Sequence, residues 1–311
     1  MKNYRHYSSR QLRKLLRGKS NEIEKQKMLI VLAERNKMPK RDIEFMTNKI
    51  FNESNVVTMA KLPDNCIDLT ITSPPYEDLR HYEGYTFDFE KVANELYRIT
   101  KKGGVVVWVV SDATIKGTET GASFKDALYF KKIGFNLHDT MIWLKNPMPQ
   151  NHNRYEQAFE YMFVLSKGKP KTFNPIRVPK LYKDTRKKRN FHRNKKDNSK
   201  KKVGFVGKQN DKVDINVWKI NVGGGHVTKD KIAYQHPAIF PEKLAYRHII
   251  SWSNENDIVY DSFMGSGTVA KVCLLTNRKY IGSELSKKYC DIAETRLRQT
   301  IENDMFLKLK Q

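Results

Sequence analysis

Four short apolar runs dominate the hydrophobic pattern of this chain: CIDLTIT (residues 66–72), VVVWVV (105–110), DIVYD (257–261) and KYIGSE (279–284). They lack strict apolar–polar alternation and favour β-branched residues, which predicts strands buried on both faces, as in a parallel sheet. Two further strand candidates, 138–145 and 159–167, flank a loop rich in Pro and Asn, NPMPQNHNR. Apolar residues at helical spacing over 88–100, 240–252 and 286–299 predict helices between and after the strands. The alternation predicts an α/β fold with a doubly wound sheet, whose ligands sit beyond the carboxyl ends of the strands.

At 311 residues, with 39% apolar and 11% aromatic content, the chain can bury a core, which excludes wholesale disorder. No apolar run approaches the roughly 20 residues of a membrane span. The start, MKNYRHYSSRQLRKLL, lacks the apolar stretch of a signal peptide. Cys66, Cys273 and Cys290 form no CxxC and no even framework, so neither a metal site nor a disulfide scaffold is expected. These features predict a cytoplasmic protein with no membrane partner.

Charge changes the picture. Lys and Arg number 58 against 34 Asp and Glu, a net +24. Residues 1–50 hold 14 basic against 5 acidic residues, and residues 177–212 hold 15 against 3. A nearly neutral core therefore carries two basic attachments, whose simplest partner is nucleic acid, with an anionic membrane surface as the competing reading. Residues 1–50 read as helical, either a solvated cap or a DNA contact. In the second window Arg186, Lys187, Lys188, Arg189, Arg193, Lys195 and Lys196 are interleaved with Tyr182, Phe191, His192 and Phe205. That mixture suits a flexible basic loop, and also phosphate contact with base stacking.

Two loops at strand ends carry candidate chemistry. Asp261-Ser262-Phe263-Met264-Gly265-Ser266-Gly267-Thr268 follows a strand and opens a helix, with glycines that permit a tight turn and close backbone approach to a ligand. No Lys follows the glycines, so it is not a P-loop. Glu284 ends the next strand 23 residues past Asp261, where nucleoside-binding sheets hold ribose hydroxyls. The second loop, Thr72-Ser73-Pro74-Pro75-Tyr76, combines two fixed φ angles, a hydroxyl and an aromatic face. It reads equally as a pocket for a planar group bearing an amine and as a rigid strand exit with a core Tyr.

TSPPY together with DSFMGSGT resembles the S-adenosylmethionine-dependent amino-methyltransferases that modify exocyclic amines of DNA bases. His236-Pro237-Ala238-Ile239-Phe240-Pro241 is similar to that family's HPxxxP segment on the cofactor side. The resemblance runs from about Val56 to Arg298, with 168–225 as a variable region. Its motif order resembles the β arrangement: catalytic region, target-recognition region, cofactor region. It implies a circularly permuted, Rossmann-like sheet in which Val56-Val57 supplies the strand beside the one ending at Glu284. The implied organisation is a basic helical extension (1–50), a catalytic half (51–167), a target-recognition region (168–228) and a cofactor half (229–311). One departure stands out: the Gly-Asp that often follows that added strand and contacts the cofactor adenine is replaced by Val56-Val57-Thr58-Met59-Ala60.

The resemblance further implies methyl transfer from S-adenosylmethionine to an exocyclic amine of double-stranded DNA, with the base flipped out of the stack. Catalytic residues would be Ser73, Pro74, Pro75 and Tyr76. His236, Phe240, Asp261, Phe263, Gly265, Gly267, Thr268 and Glu284 would bind the cofactor. Asp112, Phe159 and Tyr161 are further base-pocket candidates, with a core-strand role as the alternative for the two aromatics. Ser73 at the first loop position resembles the cytosine-N4 enzymes more than the adenine-N6 enzymes, which remain the alternative. The absence of any Pro-Cys pair argues against the 5-methylcytosine enzymes, and the motif order argues against glutamine methyltransferases of the Asn-Pro-Pro-Tyr type. An inactive DNA-binding homologue is the non-enzymatic rival. A cognate restriction endonuclease is a possible partner, and a prokaryotic or phage-encoded, nucleoid-associated setting is implied.

Overall fold

The computed structural model of the chain describes residues 24–25, 42–75, 88–147, 153–180, 191–193, 200–202, 211–223 and 225–308, with the backbone alone for 191–193, 200–202 and 304–308. The expected helices of residues 1–50 lie almost wholly outside the described residues. Two compact units are resolved, one comprising residues up to Asn174 and from Asn216 onward, the other Pro175–Ile215.

In the first unit the elements run β1 (Lys49–Phe51), α1 (Asn55–Lys61), β2 (Ile67–Thr72), α2 (Phe89–Ile99), β3 (Thr100–Val110), the hairpin β4 (Thr114–Ile115) and β5 (Thr118–Glu119), α3 (Ala122–Lys132), β6 (Asn136–Leu144) and β7 (Phe159–Ser166). The second unit holds β8 (Arg177–Pro179) paired antiparallel with β11 (Asp211–Val213), and β9 (Phe191–Arg193) paired antiparallel with β10 (Lys200–Lys202). An ion pair, Arg177 to Asp211 at 3.0 Å, joins the first of these ribbons. The first unit resumes with β12 (Val217–Lys219), α4 (Glu242–Trp252), β13 (Ile258–Asp261), α5 (Thr268–Leu275), β14 (Lys279–Ser283) and α6 (Lys287–Lys308).

Among the described residues the central sheet has eight strands in the order β1-β14-β13-β2-β3-β7-β6-β12. All neighbours are parallel except β7, which runs antiparallel to both β3 and β6. The chain enters at one edge, crosses to the middle with β2, and completes the other side of the centre only with β13 and β14. That is the permuted doubly wound sheet expected from the alternation and motif order.

One expectation fails locally. Val56-Val57 does not form the strand beside β14; Lys49–Phe51 does, pairing Ile50 with Gly282. Val56 and Val57 lie in α1, where Val57, Thr58 and Met59 are buried together. Ser54 stands at the N-cap of that helix; Met59 joins the core and Val56 packs against it, so packing overrides two β-branched residues in a row.

The core explains the rest. In α2, Val92, Ala93, Leu96 and Ile99 are buried at helical spacing, and the Asp88 side chain accepts from Lys91 N at the N-terminus. β3 is buried from Gly104 to Val110. Its Trp108 meets Phe130 of α3 (5.2 Å) and Phe89 (5.8 Å) in tilted ring contacts, and the indole N–H donates to Asp126 at 2.9 Å. Parallel β13, β14, β2 and β3 all end on one edge, which carries Asp261, Glu284, Ser73 and Asp112.

Candidate active site

The glycine loop is built from its neighbours inward. Met264 N donates to Ser283 O (2.9 Å), tying the loop to the tip of β14. Gly265 has φ +52° and a side chain there would meet His236 Nε2 at 3.0 Å; Gly267 has φ +79° and would meet Ala293 Cβ of α6 at 2.8 Å. Any other residue at these two positions would press on His236 or on α6, and the left-handed backbone adds strain.

Two carboxyls sit at this loop. Gly265 N donates to Glu284 Oε2 and Ser286 N to Glu284 Oε1, both at 2.9 Å. Burial raises the Glu284 carboxyl above its usual range, opposed by these N–H donors. Asp261 is 5% exposed; burial pushes it up to about 7, opposed by Phe263 N (3.0 Å) and the Thr72 hydroxyl (2.8 Å) and reinforced by the Glu284 charge. Two neighbouring desolvated carboxyls suit a cationic ligand that also offers hydroxyl donors.

Behind the loop lies a cluster that sequence reasoning missed. Arg296 of α6 has a side chain 0% exposed and donates to Asp230, Glu242, Thr228 Oγ1, Ser266 O and Thr268 Oγ1. Lys271 of α5 joins it, 2.7 Å from Asp230 and 2.8 Å from Glu242. Burial disfavours the charge on Asp230, but its hydrogen bonds to Arg296 and Lys271 more than offset this and hold the carboxyl below its usual range. The same arginine thus fixes both ends of the segment 230–242, which carries His236 and Phe240. The His236 ring packs on Tyr289 (4.3 Å) and its Nδ1 accepts from Ala238 N; Phe240 lies 6.4 Å from Trp143. No local pattern flags such a cluster, because its charges come from four separate segments.

At the Pro-Pro loop, Ser73 and Pro75 are half-buried and Pro74 is buried at the end of β2; Tyr76 lies outside the described residues. Thr72 joins the two loops directly through its 2.8 Å bond to Asp261. Phe159, Tyr161 and Phe163 line one face of β7, Tyr161 stacked on Phe163 (5.3 Å, 8° between planes) and edge-on to Phe159 and to Phe124 of α3. Burial raises the Tyr161 hydroxyl, and Asp112 and Glu119 add to the effect. Asp112 accepts from Ser123 N (3.0 Å), from Thr120 Oγ1 and from the Ser123 hydroxyl, so its carboxylate holds the start of α3.

Because the edge strand lies at 49–51 rather than 56–57, the residues that follow it are Asn52 and Glu53. Glu53 follows β1 and accepts from Thr58 Oγ1 (3.0 Å) and Lys61, while Asn52 donates to Glu284 O and Leu285 O. Arg186, Lys187, Lys188, Arg189, Lys195 and Lys196 lie outside the described residues, and for Arg193 only the backbone in β9 is described.

A cavity of about 440 Å³ lies at the opposite edge of the sheet, lined by Asp64, Asp68, Lys101, Asp257 and Lys279 among others. Asp68 is paired with Lys101 and Glu44 with Lys279 there, and none of the loop residues lines it, so the carboxyl edge remains the candidate site. Among the described residues no group of three or more His, Cys, Asp or Glu could hold a metal ion, and no helix is long and apolar enough to cross a membrane. The three cysteines are buried and free, with Cys66 pushed up to about 11 by burial, a protonated thiol rather than a nucleophile.

Comparison with known proteins points to one family. A family model described as DNA methylase matches residues 67–295. The orphan methyltransferase M.BamHII of Bacillus amyloliquefaciens is 59% identical over 76% of this chain and 91% of its own length. The type II methyltransferase M.BglII of Bacillus subtilis is 30% identical over 85% of this chain and 72% of its own. Among solved structures, the PvuII DNA methyltransferase (cytosine-N4-specific) aligns with a TM-score of 0.59 at 18% identity, over 80% of this chain and 85% of that one. The M1.HpyAVI–SAM complex aligns with a TM-score of 0.51 at 24% identity, over 80% of this chain and 99% of that one.

Proposed function

Since the chain belongs to the DNA methylase family, we propose that its carboxyl-edge site transfers a methyl group from S-adenosylmethionine to the N4 amine of a cytosine flipped out of duplex DNA. The observation that carries the reading is the adjacency of the two loops: Ser73-Pro74-Pro75 begins one residue past Thr72, which is bonded to Asp261 of the glycine loop.

The donor set fits the cofactor. Asp261 and Glu284 are desolvated acids beside a backbone cradle, suited to a cation that carries ribose hydroxyls. When bound, S-adenosylmethionine supplies a methyl group activated by its sulfonium charge. Glu284 takes the ribose hydroxyls, Asp261, Phe263, Gly265, Gly267 and Thr268 surround the methionine end, and His236 and Phe240 close the site.

On the base side, the conjugated amine is a poor nucleophile because its lone pair is delocalised into the ring. Ser73 Oγ and the Pro74 carbonyl accept its N–H bonds and aim the lone pair. Neither proline carries an N–H that could compete. Tyr76 stacks on the extruded ring, while Phe159, Tyr161 and Asp112 form the far wall. Catalysis is then mainly positioning, with no covalent intermediate. Cytosine is favoured over adenine because Ser73 occupies the first loop position, where it resembles the cytosine-N4 enzymes and where its short hydroxyl suits the smaller pyrimidine; adenine N6 is the alternative.

The basic residues of 177–212 supply phosphate contacts to double-stranded DNA, in a cytoplasmic, nucleoid-associated setting and with a cognate restriction endonuclease as a further partner. Incubation of the purified protein with methyl-labelled cofactor tests the reading. Label should enter duplex DNA and not RNA or protein; absence of transfer to any DNA would overturn it.

A further inference from the structure

Thr72, the last residue of β2, is 1% exposed and has no role in the chemistry assigned so far. Its Oγ1 lies 2.8 Å from Asp261 Oδ1 and 3.0 Å from Ser262 Oγ, across 189 residues of sequence. The register Val259–Leu69 and Tyr260–Thr70 brings these tips side by side. A hydroxyl has one proton to donate, and an ionised carboxylate only accepts. With Asp261 ionised the bonds therefore run one way: the Ser262 hydroxyl donates to Thr72, and Thr72 donates to Asp261. Asp261 and Ser262 are also buried, and Asn55 of α1 donates to Ser262 O at 3.2 Å.

We propose, resting on the amino-methyltransferase reading, that Thr72 is a positioning residue whose single hydroxyl proton stabilises the ionised form of Asp261 in the cofactor loop and thereby holds Ser73 and Pro74 in register with the bound cofactor. Among the described residues, the titratable groups facing Asp261 are Glu284 beyond β14, Cys273 on α5 and Tyr260 on its own strand. β2 faces it with the Thr72 hydroxyl. Glu284 opposes ionisation, whereas the donors Thr72 and Phe263 N–H favour it.

The sign follows. Burial has raised Asp261, so in the free protein the carboxyl keeps its proton up to about pH 7. The ionised form, which a cationic cofactor prefers, is populated above that. Removing the Thr72 donor leaves desolvation less opposed and moves the titration higher. A threonine that only filled space would leave that titration alone.

The experiment compares the full-length wild type with Thr72→Val, which keeps the shape, and Thr72→Ser, which keeps the hydroxyl. The first readout needs no cofactor: the carboxyl carbon of Asp261 is followed by NMR against pH. Its midpoint should rise in Thr72→Val and return in Thr72→Ser. The second is calorimetric titration with S-adenosylmethionine between about pH 5.5 and 8.5. Affinity near neutral pH should fall roughly tenfold or more in Thr72→Val, the gap narrowing as pH rises, as expected for a lost hydrogen bond to a charged group. In turnover, kcat should fall while KM for DNA stays. Should Val at 72 not fold, Thr72→Ala carries the same test. A folded variant lacking the hydroxyl, with the wild-type Asp261 titration and cofactor pH profile, overturns the role of Thr72 alone. A wild type that bound no S-adenosylmethionine at any pH would overturn the amino-methyltransferase reading and this role with it.

Discussion

Across the hydrogen bond from Thr72 to Asp261 stand two differently built halves of one site. Around the glycine loop, Arg296, Lys271, Asp230 and Glu242 converge from four segments, and Glu284 accepts two backbone N–H bonds. Around the Pro-Pro turn the shape comes from ring constraint, from a threonine and from the packed rings of Phe159, Tyr161 and Phe163. The glycine-loop half is thus preorganised by buried charge, which is costly to break. The Pro-Pro half, the proposed catalytic side, is preorganised by fixed φ angles and apolar packing, which tolerate change in a hydroxyl without loss of fold. Stability and cofactor binding should therefore respond on one side, and turnover on the other.

The largest effect on stability is expected at Arg296. Arg296→Met leaves Lys271 as the one remaining cation for Asp230 and Glu242 and removes the buried donors to Thr228, Ser266 and Thr268; it should cost about 3 kcal/mol, read by denaturant unfolding. Retention of wild-type stability would mean that water or rearrangement replaces the arginine, and the contrast between halves would fail. Next is Gly267→Ala, which meets Ala293 and forces a left-handed backbone on an L-residue; a loss of about 1–3 kcal/mol is expected together with weaker S-adenosylmethionine binding. The same substitution at Gly265 presses on His236 and should act chiefly on cofactor affinity. Ser73→Ala should leave unfolding unchanged within about 0.5 kcal/mol while lowering kcat by about two orders of magnitude, as when one precisely aimed polar group is removed. Smallest for the fold are the basic residues of 180–202. Neutralising five of them should leave stability and cofactor affinity alone, yet flatten log DNA affinity against log salt by about 0.9 for each phosphate that the variant no longer neutralises. An unchanged slope would assign those charges to solvent.

What could be read in advance follows the same division. Apolar runs such as CIDLTIT and VVVWVV announce strands because a parallel sheet needs continuous burial, and the two loops announce themselves because glycine and proline constrain the backbone locally. The edge strand Lys49–Phe51 gives no signal: it is three residues long, half exposed and begins with Lys. The pair Val56-Val57 gives a false one, since packing against the core decides for helix. Helix α3 escapes the pattern because Phe124 and Leu128 face outward while Ser123 is buried, which blurs its apolar stripe. Arg296, Lys271, Asp230 and Glu242 look in sequence like ordinary surface charges. Only the fold brings residues 66 apart, such as Asp230 and Arg296, into one buried group.

Mass spectrometry of nucleosides from DNA methylated by the purified protein tests the central claim most directly. The account predicts N4-methyldeoxycytidine with the wild type, lost in Ser73→Ala and in Tyr76→Ala although both bind S-adenosylmethionine and remain folded. N6-methyldeoxyadenosine alone would contradict the choice of cytosine, and methylation undiminished in both variants would contradict the assignment of the Pro-Pro loop as the catalytic half.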